Sequence, residues 1–231
     1  MTSSLNDKTI VKDYFNAKGF DRWRRIYGDG DVNKVQADIR VGHQQTIDKV
    51  VAWLKADQNL NLRSICDAGC GVGSLSIPLM EAGARSIYAS DISEKMVGEA
   101  QERAAKIFGN TPNLKFETKD LESISGKYNT VICLDVLIHY PTEDAAKMIA
   151  HLASLSEDRL ILSFAPKTFW LTILKKIGEF FPGPSKTTRA YQHKEQDIRQ
   201  ILIDNGFAIA RTEMTSTRFY YSRLLEAVRL R

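Results

Sequence analysis

At 231 residues, with 43% hydrophobic and 26% charged side chains, the chain is long enough for one substantial core with additions. A net charge of +4, dispersed along the sequence, argues against a dedicated nucleic-acid surface. No apolar run approaches the ~20 residues that span a bilayer, and no secretory leader opens the chain, so a soluble cytoplasmic protein, at most peripheral to a membrane, is expected. Cys66, Cys70 and Cys133 have no zinc spacing and read as small buried thiols in a reducing compartment, so no metal site is expected.

Ile10, Val11, Tyr14 and Phe15 repeat at helical spacing and stop at Gly19. Phe20, Trp23, Ile26 and Tyr27 make a second helical stripe ending at Gly28, and Val35, Ile39, Thr46, Val50 and Leu54 place a long third helix within 32–56. Residues 1–60 are expected to form a helical N-terminal arm. Strand and helix signals then alternate: strand 64–67, helix 74–83, strand 86–91, helix 93–108, strands 113–118 and 129–136, helix 142–154, strand 158–164. This predicts an α/β core over 61–166, a mostly parallel sheet with helices on both faces and its ligand at the carboxyl ends of the strands.

The insertion at 167–192 carries Phe169, Trp170, Ile173, Leu174, Ile177, Phe180 and Phe181 on one helical face, before Pro182-Gly183-Pro184 breaks it. Three readings stand: packing on the sheet, a cap over a large flat apolar substrate, or an interfacial helix with Lys175 and Lys176 toward anionic lipid. Helix 195–205 and strands 207–214 and 217–229 complete the sheet over 193–231.

The chemistry concentrates in Asp67-Ala68-Gly69-Cys70-Gly71-Val72-Gly73, set between the first strand and its helix. Glycines let the backbone turn sharply and lie against a ligand, and the helix behind presents free N–H groups. Asp91 ends the second strand, where a ribose-binding carboxylate belongs, and Asp120 and Asp135 follow the third and fourth strands. The layout is that of a nucleoside-cofactor site. A dinucleotide site is the alternative, but Ile77 stands near where its third glycine would be.

This run resembles the first motif of class I S-adenosylmethionine-dependent methyltransferases, with Asp91-Ile92-Ser93 and Met96, Lys119-Asp120-Leu121 and Val131 to Asp135 matching the following motifs in register. The resemblance implies a Rossmann-like, seven-stranded sheet. It also implies that Asp67, Gly69, Gly71 and Gly73 shape the loop around the methionine moiety, that Asp91 binds the ribose diol, and that Ile92, Met96, Asp120 and Leu121 surround adenine, with Leu134 beside them.

At the amino terminus Tyr14-Phe15, Gly19-Phe20, Arg22-Trp23 and Ile26-Tyr27-Gly28, continued by Arg40 and Gly42-His43, resemble the magnesium-protoporphyrin IX methyltransferase family of chlorophyll biosynthesis in photosynthetic organisms. That resemblance implies O-methylation of one propionate carboxylate of the porphyrin, magnesium entering only with the substrate. His139, at the exit of the fourth strand, and Tyr27 are the candidates to orient the acceptor or touch its magnesium, and Phe169 and Trp170 of the aromatic stripe are the candidates for substrate binding. Arg40 would pair with the cofactor carboxylate, as a pre-core arginine does in quinone-pathway methyltransferases. Partners would be the porphyrin and the porphyrin-binding subunit of magnesium chelatase. Methylation of a quinone precursor, and a non-catalytic cofactor-binding role beside the chelatase, are the rival readings.

Overall fold

The structure is a computed structural model that describes residues 2–28, 30–167 and 191–230. The aromatic stripe with Phe169 and Trp170 therefore lies outside the described residues.

Helices α1 (Thr2–Asn16), α2 (Lys18–Ile26) and α3 (Lys34–Ala56) come first. α3 starts at a reciprocal cap: the Asn33 side chain accepts the Gln36 N–H at 2.9 Å, and the Gln36 side chain accepts the Asn33 N–H at 3.2 Å. Strands β1 (Ser64–Ala68), β2 (Ser86–Asp91), β3 (Leu114–Thr118), β4 (Tyr128–Cys133) and β5 (Ser156–Phe164) run parallel, and β6 (Phe207–Ser216) and β7 (Tyr221–Arg229) close the sheet. The order is β3-β2-β1-β4-β5-β7-β6, with β7 antiparallel to both neighbours. The strand order reverses between β1 and β4, which is where such sheets bind ligands.

Both faces of the sheet are covered, by α4 (Ser76–Glu81), α5 (Glu94–Phe108), α6 (Thr142–Leu155) and α7 (Glu195–Asp204). Ile47, Val50 and Leu54 of α3 pack with Leu79 of α4, Ala100 of α5 and Ile65, Ile87 and Ile132 of the sheet. On the other face Met148, Ile149 and Leu152 of α6 and Ile198 and Leu202 of α7 meet Val131, Leu160 and Leu162. α3 thus belongs to the core layer, so a division of the chain at residue 60 cuts through packed structure. The arm proper is α1 and α2. It is tied to the core through Ser93, whose hydroxyl caps α5 by accepting the Met96 N–H and donates to Asn16 Oδ1 at 2.7 Å.

Of the boundaries that differ from the sequence reading, three bear on the site or its surroundings. Residues 71–75 form a turn, so α4 begins at Ser76 and not Ser74. β4 ends at Cys133 instead of continuing to 136, because Asp135 adopts φ 57° and Leu137–His139 forms a short 3-10 helix. β7 starts at Tyr221, the preceding turn being held by Asp38, whose carboxylate accepts from Thr217 Oγ1 and Phe219 N, both at 2.6 Å. All three cysteines are free and buried, as expected.

At the sheet edge away from the ligand rim, Glu226 of β7 sits buried between Arg159 of β5 (3.0 Å) and Arg211 of β6, and Arg159 pairs in turn with Asp57 at 2.5 Å. Arg211 also lies 4.4 Å over the Trp53 ring of α3. This charged cluster joins three strands to one helix.

Candidate active site

The glycine loop is shaped by left-handed backbone. Gly69, Gly71 and Gly73 have φ of 87°, 53° and 80°. At Gly69 an added Cβ would fall 2.1 Å from Val136 Cγ2, so the position has no room for a side chain. The N–H groups of Gly69 and Cys70 donate to the Ser90 carbonyl at 2.8 and 2.9 Å, and that of Gly71 to Asp91 Oδ2 at 3.0 Å. Asp91 Oδ1 accepts the Ser93 N–H at 2.9 Å. The ends of β1 and β2 are thereby locked to each other.

Above these ends lies a cavity whose walls include Asp67, Gly69, Gly71, Asp91, Ile92, Met96, Asp120, Leu121 and Leu134 from the anticipated cofactor set, together with Tyr27 and His139. Asp135 joins them, so the acids after four strands do converge. Val11, Phe15 and Trp23 of the arm roof the cavity. Gly73 lies elsewhere, against Ile77 and Ala100, where it borders a separate groove.

Arg40 does not reach the cavity. Its Nε donates to the Ile26 carbonyl at 2.9 Å, and its Nη2 to the Arg25 and Gly30 carbonyls, each at 2.6 Å. The open carbonyls at the end of α2 claim the guanidinium, so the pairing with a cofactor carboxylate is corrected.

The buried charges differ in state. Burial pushes the Asp67 carboxyl up to about 6, with nearby Asp91 adding to the effect, against the 2.5 Å hydrogen bond from Ser76. Burial also raises Asp91, opposed by the N–H groups that it accepts. Burial works against the Asp135 carboxylate too, but hydrogen bonds from His43, Tyr220 and Ser163 outweigh it and hold its pKa below the ordinary value. Tyr27 is driven well above the usual phenol range by burial, then by Asp135, and stays a proton donor. Burial takes His139 down to about 4, so it is neutral at pH 7; its ring stands edge-on to Phe15 at 5.3 Å, and Nδ1 has no hydrogen-bond partner among the described residues. Asp120 accepts from Lys8 Nζ of α1 at 3.2 Å, a second tether of the arm.

The cavity also contains a group to which the sequence reading gave no role, although it belongs to the amino-terminal pattern. His43 Nδ1 lies 3.0 Å from Asp135 Oδ2, which accepts from Tyr220 Oη at 2.7 Å, and the Tyr27 ring lies against the imidazole with centroids 4.1 Å apart. The signal available in the sequence was His43 standing three residues after Arg40 on one helix, a neighbouring face position.

Known proteins with this architecture decide the family. The chain is 73% identical, over 98% of both lengths, to the magnesium-protoporphyrin O-methyltransferase of Synechocystis. The chain belongs to the magnesium-protoporphyrin IX methyltransferase family. A model of the C-terminal part of this family, "Magnesium-protoporphyrin IX methyltransferase C-terminus", matches residues 133–229, and a general methyltransferase-domain model matches 65–158. The chloroplastic member from Arabidopsis thaliana is 56% identical over 96% of this chain and 71% of its own. The crystal structure of the Synechocystis member with bound S-adenosylhomocysteine superposes with a TM-score of 0.90 at 71% identity, covering 96% of this chain and all of that one. The fold class expected from the sequence, a Rossmann-like methyltransferase with a seven-stranded sheet, is the one observed.

Proposed function

We propose that this protein methylates one propionate carboxylate of magnesium-protoporphyrin IX with S-adenosylmethionine, giving the monomethyl ester in chlorophyll biosynthesis. The near full-length identity to the Synechocystis enzyme carries the reading. The cavity fits the cofactor: Asp91 has oxygen lone pairs left for a diol after two N–H bonds, Ile92, Met96 and Leu121 offer apolar walls to a base, and the loop leaves backbone exposed to the amino-acid end.

Bound there, S-adenosylmethionine supplies an electrophilic methyl on a positive sulfur. A propionate with a pKa near that of Glu, about 4.3, is already ionised at pH 7, so the site needs no strong base. Its residues hold the oxygen in line, exclude water, and stabilise the carboxylate without protonating it. Tyr27, fixed as a phenol, donates a hydrogen bond to the acceptor, and neutral His139 lies beside the exit of β4 to steer it. The arm's Val11, Phe15 and Trp23 keep the cavity dry.

Purified protein with both substrates is expected to add a single methyl to the porphyrin, read by chromatography and mass, and Asp91→Ala is expected to lose it. Cofactor binding with an unmodified porphyrin would overturn the substrate assignment. A His139→Ala protein that turns over at the wild-type rate would remove His139 from the scheme.

Asp67 gives the site a pH dependence. A cationic cofactor favours the ionised carboxylate, so binding must expel the Asp67 proton below its pKa of about 6. Affinity for S-adenosylmethionine is therefore expected to rise between about pH 5 and pH 6, at up to about tenfold per unit, and to level off above. Calorimetry on Asp67→Asn should give a flat profile.

We extend the reading to delivery. A flat apolar macrocycle partitions poorly into water, which supports direct transfer from the porphyrin-binding subunit of magnesium chelatase and a peripheral membrane contact. Among the described residues no helix is long and apolar enough to cross a membrane. Co-sedimentation with that subunit and with anionic vesicles tests the two contacts separately.

A further inference from the structure

We propose that His43, held against Asp135, is the carboxylate anchor of the cavity: an imidazolium whose Nε2–H receives a carboxylate of a bound ligand. The inference rests on the reading above, in which two carboxylates enter this cavity, one on the cofactor and one on the porphyrin.

His43 Nδ1 faces Asp135 Oδ2 at 3.0 Å, and the other nitrogen, Nε2, is buried without a hydrogen-bond partner among the described residues. An orphan of this kind loses its hydration with no return unless a ligand supplies the partner. The imidazole is held from both sides, by the Tyr27 ring and by a carboxylate that is itself pinned by Tyr220 Oη (2.7 Å) and Ser163 Oγ (2.8 Å). Among the described residues lining the cavity the other basic side chains are Lys119, which pairs with Glu117 at 3.5 Å, and His139, which burial keeps neutral. Arg40 is engaged at the end of α2. Among the described residues, His43 is thus the basic side chain available between the glycine loop and the β4 exit.

The proton count follows from the partners. Asp135 only accepts, and an incoming carboxylate only accepts, so an imidazole between them carries a proton on each nitrogen. The groups facing His43 that bear on its charge are Asp135 after β4, Asp67 of β1, and the phenols of Tyr27 and Tyr220.

The test compares ligands that differ by their carboxylates, with wild type, His43→Ala, His43→Gln and Asp135→Asn. S-adenosylhomocysteine is set against 5′-methylthioadenosine, and magnesium-protoporphyrin IX against its dimethyl ester. For one of the two carboxylate ligands, the His43 variants are expected to bind about tenfold to a hundredfold more weakly, with the carboxylate-free counterpart unchanged. The affected pair identifies the anchored carboxylate as the cofactor's or the acceptor's. Undiminished binding of both, or an equal loss for carboxylate-bearing and carboxylate-free ligands, overturns the proposal. His43→Gln keeps the test running should His43→Ala fail to fold, and the cofactor arm reads out even if the porphyrin is not the substrate.

Discussion

Gly69→Ala is expected to weaken S-adenosylhomocysteine binding by about a hundredfold while leaving the rest of the fold in place. Two penalties combine. An alanine at φ 87° sits in the left-handed region at about 1–2 kcal/mol, and its Cβ, 2.1 Å from Val136 Cγ2, adds an overpacking penalty of about 1–3 kcal/mol. Relief by moving Val136 would disturb Asp135 next to it, and relief by lifting the loop would fill the cofactor's place. Because the two terms are separable, Gly69→Ala combined with Val136→Ala should recover the steric part and keep the backbone part. Calorimetry on the single and double variants checks this. A single variant that binds within threefold of wild type, about 0.65 kcal/mol, would show that the loop is softer than its hydrogen bonds to Ser90 suggest.

Glu226→Ala should be the most destabilising single change away from the cavity, at about 3–5 kcal/mol, because it strands Arg159 with one partner and removes the buried partner of Arg211. For a chain of this size that corresponds to a fall in Tm on the order of 10 °C. Denaturant unfolding of the two proteins measures it. Since β7 joins β5 to β6, the loss should be global, with amides of all three strands exchanging faster. A change below about 1 kcal/mol would mean that the arginines re-solvate without strain.

The parts of this molecule that could be read in the sequence are local. Asp67 to Gly73 and Asp91 are short patterns whose chemistry depends on neighbours in the chain, and the cavity holds nearly all of them. The alternation of strand and helix signals likewise gave the sheet, because apolar periodicity reports local burial. What escaped depends on contacts between distant segments or on backbone angles. His43, Asp135 and Tyr220 meet across separations of 92 and 85 residues, and no spacing rule links them. Arg40 was placed at the cofactor by likeness to a pre-core arginine, but a long side chain goes where acceptors are open, here the end of α2. The apolar run from Val131 to Leu137 looks like uninterrupted strand, and the turn at Asp135 is invisible because aspartate tolerates the left-handed region without a glycine to mark it.

The way α2 is fastened bears on how the enzyme behaves in the cold. Ile26 is the fully buried apolar side chain of this helix, whereas its final carbonyls are gripped by Arg40 and by Arg103, which donates to Tyr27 O at 2.9 Å and Arg24 O at 3.3 Å. Apolar burial weakens on cooling, but hydrogen bonds do not share that dependence. The end of α2 and the Tyr27 that caps it are therefore expected to keep their seat over the cavity at temperatures where an apolar contact of the same size would loosen.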